Sequence, residues 1–265
     1  MESDFKMIIH HFDKPITIYP ISDVHLGSLE HNSEEWNKFI EKIKTETDSY
    51  VILVGDLMNN ATRSSVSNVF DDVMRPREQK KLLIKYLEPM KDKILCAVSG
   101  NHERRSIKDV DDDPMYDIMC KLDLEHLYRQ NMAFMKVQLG TRYCKGSSKP
   151  VTTYTFAVTH GTGGGIFTGA SVTRNERFGY TVDGLDCLIT GHTHKGIVSK
   201  PAKIVIDPRN DVISIKPFTV ITSQSWMSYG GYAMQKMLLP AANATADAGQ
   251  KLVLGLKQKN IKVIW

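Results

Sequence analysis

The 265-residue sequence has few of the features that settle a protein's class at once. It has only four cysteines, Cys96, Cys120, Cys144 and Cys187, scattered and with no Cys-x-x-Cys pair. That spacing argues against a disulfide framework and for a reducing compartment, so a cytoplasmic protein is expected. No apolar run approaches the length of a membrane span, and the opening "MESDFKMIIHHFDKP" is too charged for a secretory leader. Repeats, low-complexity tracts and a Ser/Gly/Pro-rich linker are missing too. One domain over 1–265, without a separate capping domain, is therefore expected. Charge of one sign is also scarce. A net charge of +4 permits an anionic partner without demanding one. What remains is an ordinary globular balance, 42% hydrophobic and 24% charged.

The periodicity is more informative. "ITIYPIS" (16–22), "YVILVG" (50–55) and "KILCAVSG" (93–100) read as strands, the last two apolar enough to be buried on both faces. Between them "EEWNKFIEKIKTE" spaces Trp36, Phe39, Ile40 and Ile43 at helical intervals after Asn32 or Ser33 as cap. "REQKKLLIKYLEPM" aligns Leu83, Leu87 and Met90, and "PMYDIMCKLDLE" opens on Pro114. Strands alternating with helices predict an α/β layered fold. The second half is mostly strand-like ("AFMKVQLG", "TYTFAVTHG", "DCLITGH", "KIVID", "VISIKPF", "TVITS"), which predicts a second sheet. "AANATADAGQ" (241–250) reads as a loop or a short Ala-rich helix.

Polar residues of one kind close these strands. "PISDVHLGS" ends on Asp23 and His25, "VILVGDLMNN" on Asp56, and "LCAVSGNHERR" on Asn101 and His102. "FAVTHGTGGG" ends on His160 and "LITGHTHKG" on His192 and His194. In an extended chain residues two apart point the same way, so His192 and His194 should face a common point. Any one of these blocks is weak, because surface loops carry His-x-His by accident. Together they place carboxylates, an amide oxygen and imidazoles at the carboxyl ends of strands, where α/β sheets bind ligands. That donor mixture suits first-row transition metals, and it is too large for one ion.

The ordered series Asp-x-His, Gly-Asp, Gly-Asn-His-Glu, His and Gly-His-x-His, from Asp23 to His194, resembles the calcineurin-like metallophosphoesterase superfamily. The resemblance implies a four-layer α/β/β/α sandwich with two mixed β-sheets and a two-metal cleft. It implies Asp23, His25 and His194 on one ion, Asn101, His160 and His192 on the other, and Asp56 bridging them. Mn2+ is the first expectation for the pair, with Fe, Zn, Ni or Mg as alternatives. His102 is the candidate general acid, since an imidazolium titrates near working pH; its alternative is a ligand role.

Protein serine/threonine phosphatases follow Gly-Asp with a downstream Asp-Arg-Gly, where "GDLMNN" has Asn59 and Asn60. The pattern is therefore closer to the phosphodiesterase and DNA-repair exonuclease branch, although Glu103 and the "HGTGGG" glycines resemble the phosphatases. The expected activity is hydrolysis of phosphodiesters in nucleic acid or nucleotides. A phosphomonoesterase is the alternative, and a non-catalytic scaffold ranks below it. Candidate substrate contacts are Asn59, Arg63, Arg104 and Arg105, while Arg174 and Arg177 read as surface charges. Trp226, Tyr229 and Tyr232 read as packing aromatics rather than a base-stacking platform. "DVDDDP" reads as a loop leading into a helix, and His10 and His11 read as incidental. A homodimer setting two clefts on one duplex is allowed, but it has no signature in the sequence.

Overall fold

The computed structural model describes residues 5–63, 65, 70, 72–140, 151–163 and 167–265. Cys144, Gly164 and Gly165 lie outside the described residues. Apart from its first strand, which joins the other sheet, the first half builds most of one sheet, with helices on its outer face. Strands β1 (Ile8–Phe12) and β2 (Ile16–Ile21) lead to α1 (Ser33–Thr45), β3 (Ser49–Leu53) and α2 (Pro76–Leu87). Then come β4 (Ile94–Val98), α3 (Glu103–Val110), α4 (Pro114–Lys121) and the short β5 (Tyr128–Arg129).

The second half supplies β6 (Met132–Leu139), β7 (Thr152–Thr159), α5 (Thr168–Thr181), β8 (Cys187–Thr190) and β9 (Ile197–Ser199). A hairpin of β10 (Ala202–Asp207) and β11 (Val212–Pro217) precedes β12 (Thr219–Thr222). The chain continues through α6 (Gly231–Gln235) to β13 (Lys251–Leu254) and β14 (Ile261–Ile264).

Two six-stranded mixed sheets result, in the orders β14-β13-β2-β3-β4-β5 and β1-β6-β7-β8-β12-β9, with β10 and β11 as a separate pair. The sheets meet face to face through a continuous apolar core that includes Ile18, Ile52, Val98, Val137, Tyr154, Phe156 and Ile189. Helix α1 seals the outer side of the first sheet. Its Trp36, Phe39, Ile40 and Ile43 are buried in one stripe, and the Asn32 side chain accepts from Glu35 N as the cap. Burial of each such side chain contributes about 1.5–3 kcal/mol. Helix α5 covers the second sheet, completing the α/β/β/α layering.

Two features place the site. Strands β2, β3 and β4 are mutually parallel, as are β7 and β8, so five carboxyl ends gather at one end of the sandwich. The loops that follow are stitched together: Asp23 N donates to Gly55 O (3.1 Å), and Gly191 N donates to His160 O (3.0 Å).

Candidate metal centre

The loop residues beyond these strand ends are not extended. Asp23 (φ 53°), His25 (φ 48°), Asp56 (φ 52°), His192 (φ 72°) and His194 (φ 58°) are all left-handed. Such conformations are uncommon outside glycine, although Asp, Asn and His enter them more readily than most, and they concentrate at functional sites. The sequence expectation that His192 and His194 face a common point through strand alternation is therefore corrected. Strand β8 ends at Thr190, and the left-handed turns send the two rings to different clusters.

One cluster joins Asp23, His25 and His194. His194 Nε2 lies 3.2 Å from Asp23 Oδ1 and 3.2 Å from His25 Nε2. The other joins Asp56, His160 and His192, with Asn101 between the rings. Asn101 Oδ1 is 3.1 Å from His160 Nε2 and 2.7 Å from His192 Nδ1. Asp56 Oδ2 stands between the clusters, 3.1 Å from His160 Nε2 and 3.9 Å from His25 Nε2. The structure thus brings all seven expected donors together.

The surrounding chain leaves the inward atoms free. Asp23 Oδ2 accepts from Ser22 Oγ and from His192 N (2.9 Å), while its Oδ1 is buried without a hydrogen-bond partner. Asp56 Oδ1 accepts from His102 N (2.8 Å), leaving Oδ2 for the centre. His160 Nδ1 donates to Val54 O (2.8 Å), and His25 Nδ1 donates to Asn59 Oδ1 (3.2 Å), so each ring turns Nε2 inward. An orphaned buried carboxylate oxygen facing inward-turned imidazole nitrogens fits a pair of divalent cations.

The electrostatics agree. Burial alone would raise the Asp56 carboxyl, but the His160 and His102 imidazoles hold it well below the usual carboxylate range. Burial opposes protonation of His160, yet Asp56 outweighs it and pushes this group up to about 9. The His102 group goes the other way. Burial, reinforced by His25 and Arg105 against the pull of Asp56, lowers it to about 3. His102 Nδ1 donates to Asn59 O (2.7 Å), and Nε2 accepts from Arg105 Nη2 (3.0 Å). These hydrogen bonds describe a ring with its proton on Nδ1 and its Nε2 lone pair on Arg105.

The substrate contacts expected from sequence divide. Arg105 lies against His102, inside the cleft. The Arg104 guanidinium instead donates to Ser99 O (3.0 Å) and Gln130 O (3.4 Å), because α3 turns it towards β4 and β5. Arg63 is exposed. The Asn59 side chain is engaged by His25 and by Asp72, whose Oδ1 accepts from Nδ2 at 2.6 Å; it supports a donor ring rather than meeting solvent. Trp226 packs against Trp36 and Phe39, as a core aromatic should.

Sequence reasoning missed three supports. The buried Glu103 carboxylate accepts from the backbone N–H groups of Asp56, Leu57, Met58 and Gly100, at 2.7–3.0 Å. Gln79 accepts from Asn60 N (2.8 Å), a long-range tie that no local pattern announces. Arg174, read as a surface charge, donates to Thr162 O (2.6 Å), two residues past His160. Two glycines are sterically required. A Cβ at Gly100 would strike the Asp56 carboxylate, and one at Gly191 would strike Ser22 Oγ.

The family model described as calcineurin-like phosphoesterase matches residues 16–196, which span every one of these donors. The chain belongs to the calcineurin-like phosphoesterase family. As a metallophosphoesterase it is a hydrolase of phosphoester bonds, and the family depends on a binuclear metal centre. No curated protein matches it. Among solved structures, a predicted phosphoesterase from Streptococcus pneumoniae is 12% identical, covering 94% of this chain and 87% of that one at a TM-score of 0.39. A metallophosphoesterase from Sphaerobacter thermophilus is 15% identical, over 90% and 83%, at a TM-score of 0.38. The cold-active protein-tyrosine phosphatase of a Shewanella psychrophile is 11% identical, over 99% and 84%, at a TM-score of 0.34.

Proposed function

We propose that this metallophosphoesterase hydrolyses phosphodiester bonds of nucleic acid or nucleotides in the cytoplasm. The observation that carries the choice is the state of Asn59 and Asn60. They stand where the serine/threonine phosphatases have Asp and Arg, and neither supplies a charge. Asn59 holds His25, and Asn60 Nδ2 donates to His102 O (2.8 Å) and Ser106 Oγ (2.9 Å). Arg105 is then the guanidinium beside His102. One cation there suits the single charge of a diester better than the double charge of a monoester. The free thiols Cys96, Cys120 and Cys187 support a reducing compartment.

Asp23, His25 and His194 would hold one divalent cation and Asn101, His160 and His192 the other, with Asp56 Oδ2 shared. Mn2+ is preferred for this oxygen–nitrogen set. Bound cations supply Lewis acidity, activating water near neutral pH and offsetting phosphate charge. The chain supplies position and the proton. Asn59 O fixes the His102 tautomer through Nδ1 and aims Nε2 at the cleft. Arg105 lies on that nitrogen and is placed to turn to a phosphate oxygen. Once released, the bare Nε2 takes up a proton from solvent, and the imidazolium so formed passes it to the leaving alkoxide and returns to the neutral ring.

The reading is tested by assaying bis-p-nitrophenyl phosphate against p-nitrophenyl phosphate with manganese. Single- and double-stranded DNA, RNA, cyclic nucleotides and phosphopeptides follow. The diester and a nucleic-acid or nucleotide substrate should be preferred. A strong preference for the monoester and the phosphopeptides would replace the reading with a phosphomonoesterase.

A further inference from the structure

The β10–β11 hairpin carries a contiguous exposed apolar face. Its register pairs Ile204 with Ile215 and Ile206 with Ile213. These four side chains are 76%, 74%, 69% and 72% exposed, and by strand alternation they share one face with Ala202 and Pro217. The opposite face is tied to the body: Lys203 Nζ donates to Val182 O (2.6 Å) and lies over the Phe218 ring. A two-stranded sheet is marginal alone, and β-branched residues are placed on a strand face to be packed. Single exposed hydrophobes need no explanation, but two adjacent cross-strand pairs form a contiguous patch.

We propose that this face is a homodimer interface, with the same hairpin of a second copy of the chain as its occupant. Two observations select a copy over another partner. The row carries no charge, so nothing on it would specify a chemically different surface. It also repeats isoleucine on both strands, so it is self-complementary about a two-fold axis, as an isologous contact requires. The area suffices. At these exposures the four isoleucines leave on the order of 500 Å2 of apolar surface per chain, so two copies face to face cover up to about 1,000 Å2, the lower bound for a specific interface.

The position of the hairpin also revises the duplex-spanning dimer allowed by sequence. Strand β12 is parallel to β8, and Thr219 at its start pairs with Cys187 at the start of β8. The hairpin therefore emerges at the end of the sheet opposite His192 and His194. Pairing there leaves each cleft free.

The test is the solution mass of the full chain by light scattering after size exclusion, over a wide concentration range. Wild type should run at twice the chain mass. The Ile204→Lys/Ile215→Lys variant should be monomeric, its dissociation constant weakened by about a hundredfold or more, with unchanged far-ultraviolet circular dichroism. Should the lysine variant misfold, Ile206→Thr/Ile213→Thr keeps strand propensity and decides. It should weaken the dimer while preserving the spectrum. A monomeric wild type at every concentration, or a folded variant dimerising as tightly as wild type, overturns the proposal. Neither result depends on the assigned substrate.

Discussion

His102 is held by three neighbours with different consequences. Asn59 O fixes the tautomer, Arg105 occupies the lone pair of Nε2, and Asp56 Oδ2 lies 3.8 Å from that same nitrogen. A ring so placed serves either as proton donor or as an additional ligand, and one substitution separates the roles. His102→Asn should lower turnover on the diester by about 10²–10⁴-fold while two ions per chain are retained in metal analysis. Loss of an ion together with turnover would make His102 a ligand. The residue types at this centre were legible in the sequence because only a few side chains bind cations, and each stood at a strand end. Their division between two clusters came from the family resemblance and not from spacing. It depends on left-handed backbone at Asp23, His25, Asp56, His192 and His194, which no spacing encodes.

Between elements, Glu103 has the largest structural role. From the first turn of α3 its carboxylate reaches back to four backbone N–H groups, three after β3 and one after β4. A neutral amide would turn a donor towards donors. Glu103→Gln should therefore lower unfolding free energy by about 2–4 kcal/mol and weaken metal affinity by about 10–100-fold. A urea titration of the metal-free chain and a metal-competition assay would measure the two effects. An unchanged midpoint would show that these loops hold their shape without it. Helices α1 and α2 were visible through apolar periodicity, and α4 through Pro114 at its opening. Helix α5 was not, because its buried residues are Ser171, Asn175 and Gly179, small or polar side chains that form no apolar stripe. Asn175 donates there to Thr190 Oγ1 and Thr222 Oγ1, both at 3.0 Å. Helix α3 escaped for a related reason, being short, heavily charged and held by Glu103 rather than by a hydrophobic face. "AANATADAGQ" forms no helix and stays a loop.

For the whole molecule, two imidazoles outside the centre add to the response to acid. His10 Nε2 donates to Leu95 O and His31 Nδ1 to Val24 O, both at 2.8 Å, and burial is the main cause lowering each group below 6.5. His10, incidental in the sequence, ties β1 of one sheet to β4 of the other. The folded chain binds these protons less readily than the unfolded chain. Their contribution is therefore complete above pH 6.5 and declines as pH falls from there towards the depressed folded values. The denaturant midpoint of the metal-free chain should fall between about pH 7 and pH 5, and His10→Gln/His31→Gln should flatten that slope. A wild-type midpoint that does not move would exclude the effect.

The left-handed turns at the donor positions have an energetic consequence for the metal-free chain. Each such residue sits in a conformation that disfavours a side chain by about 1–2 kcal/mol relative to glycine's freedom there. A glycine at Asp23 or Asp56 would relieve that cost but would also strip the backbone N–H groups of His192 and His102 of their acceptors. Cations held by these donors would offset that backbone cost, so metal binding and backbone strain are balanced against each other at the same positions.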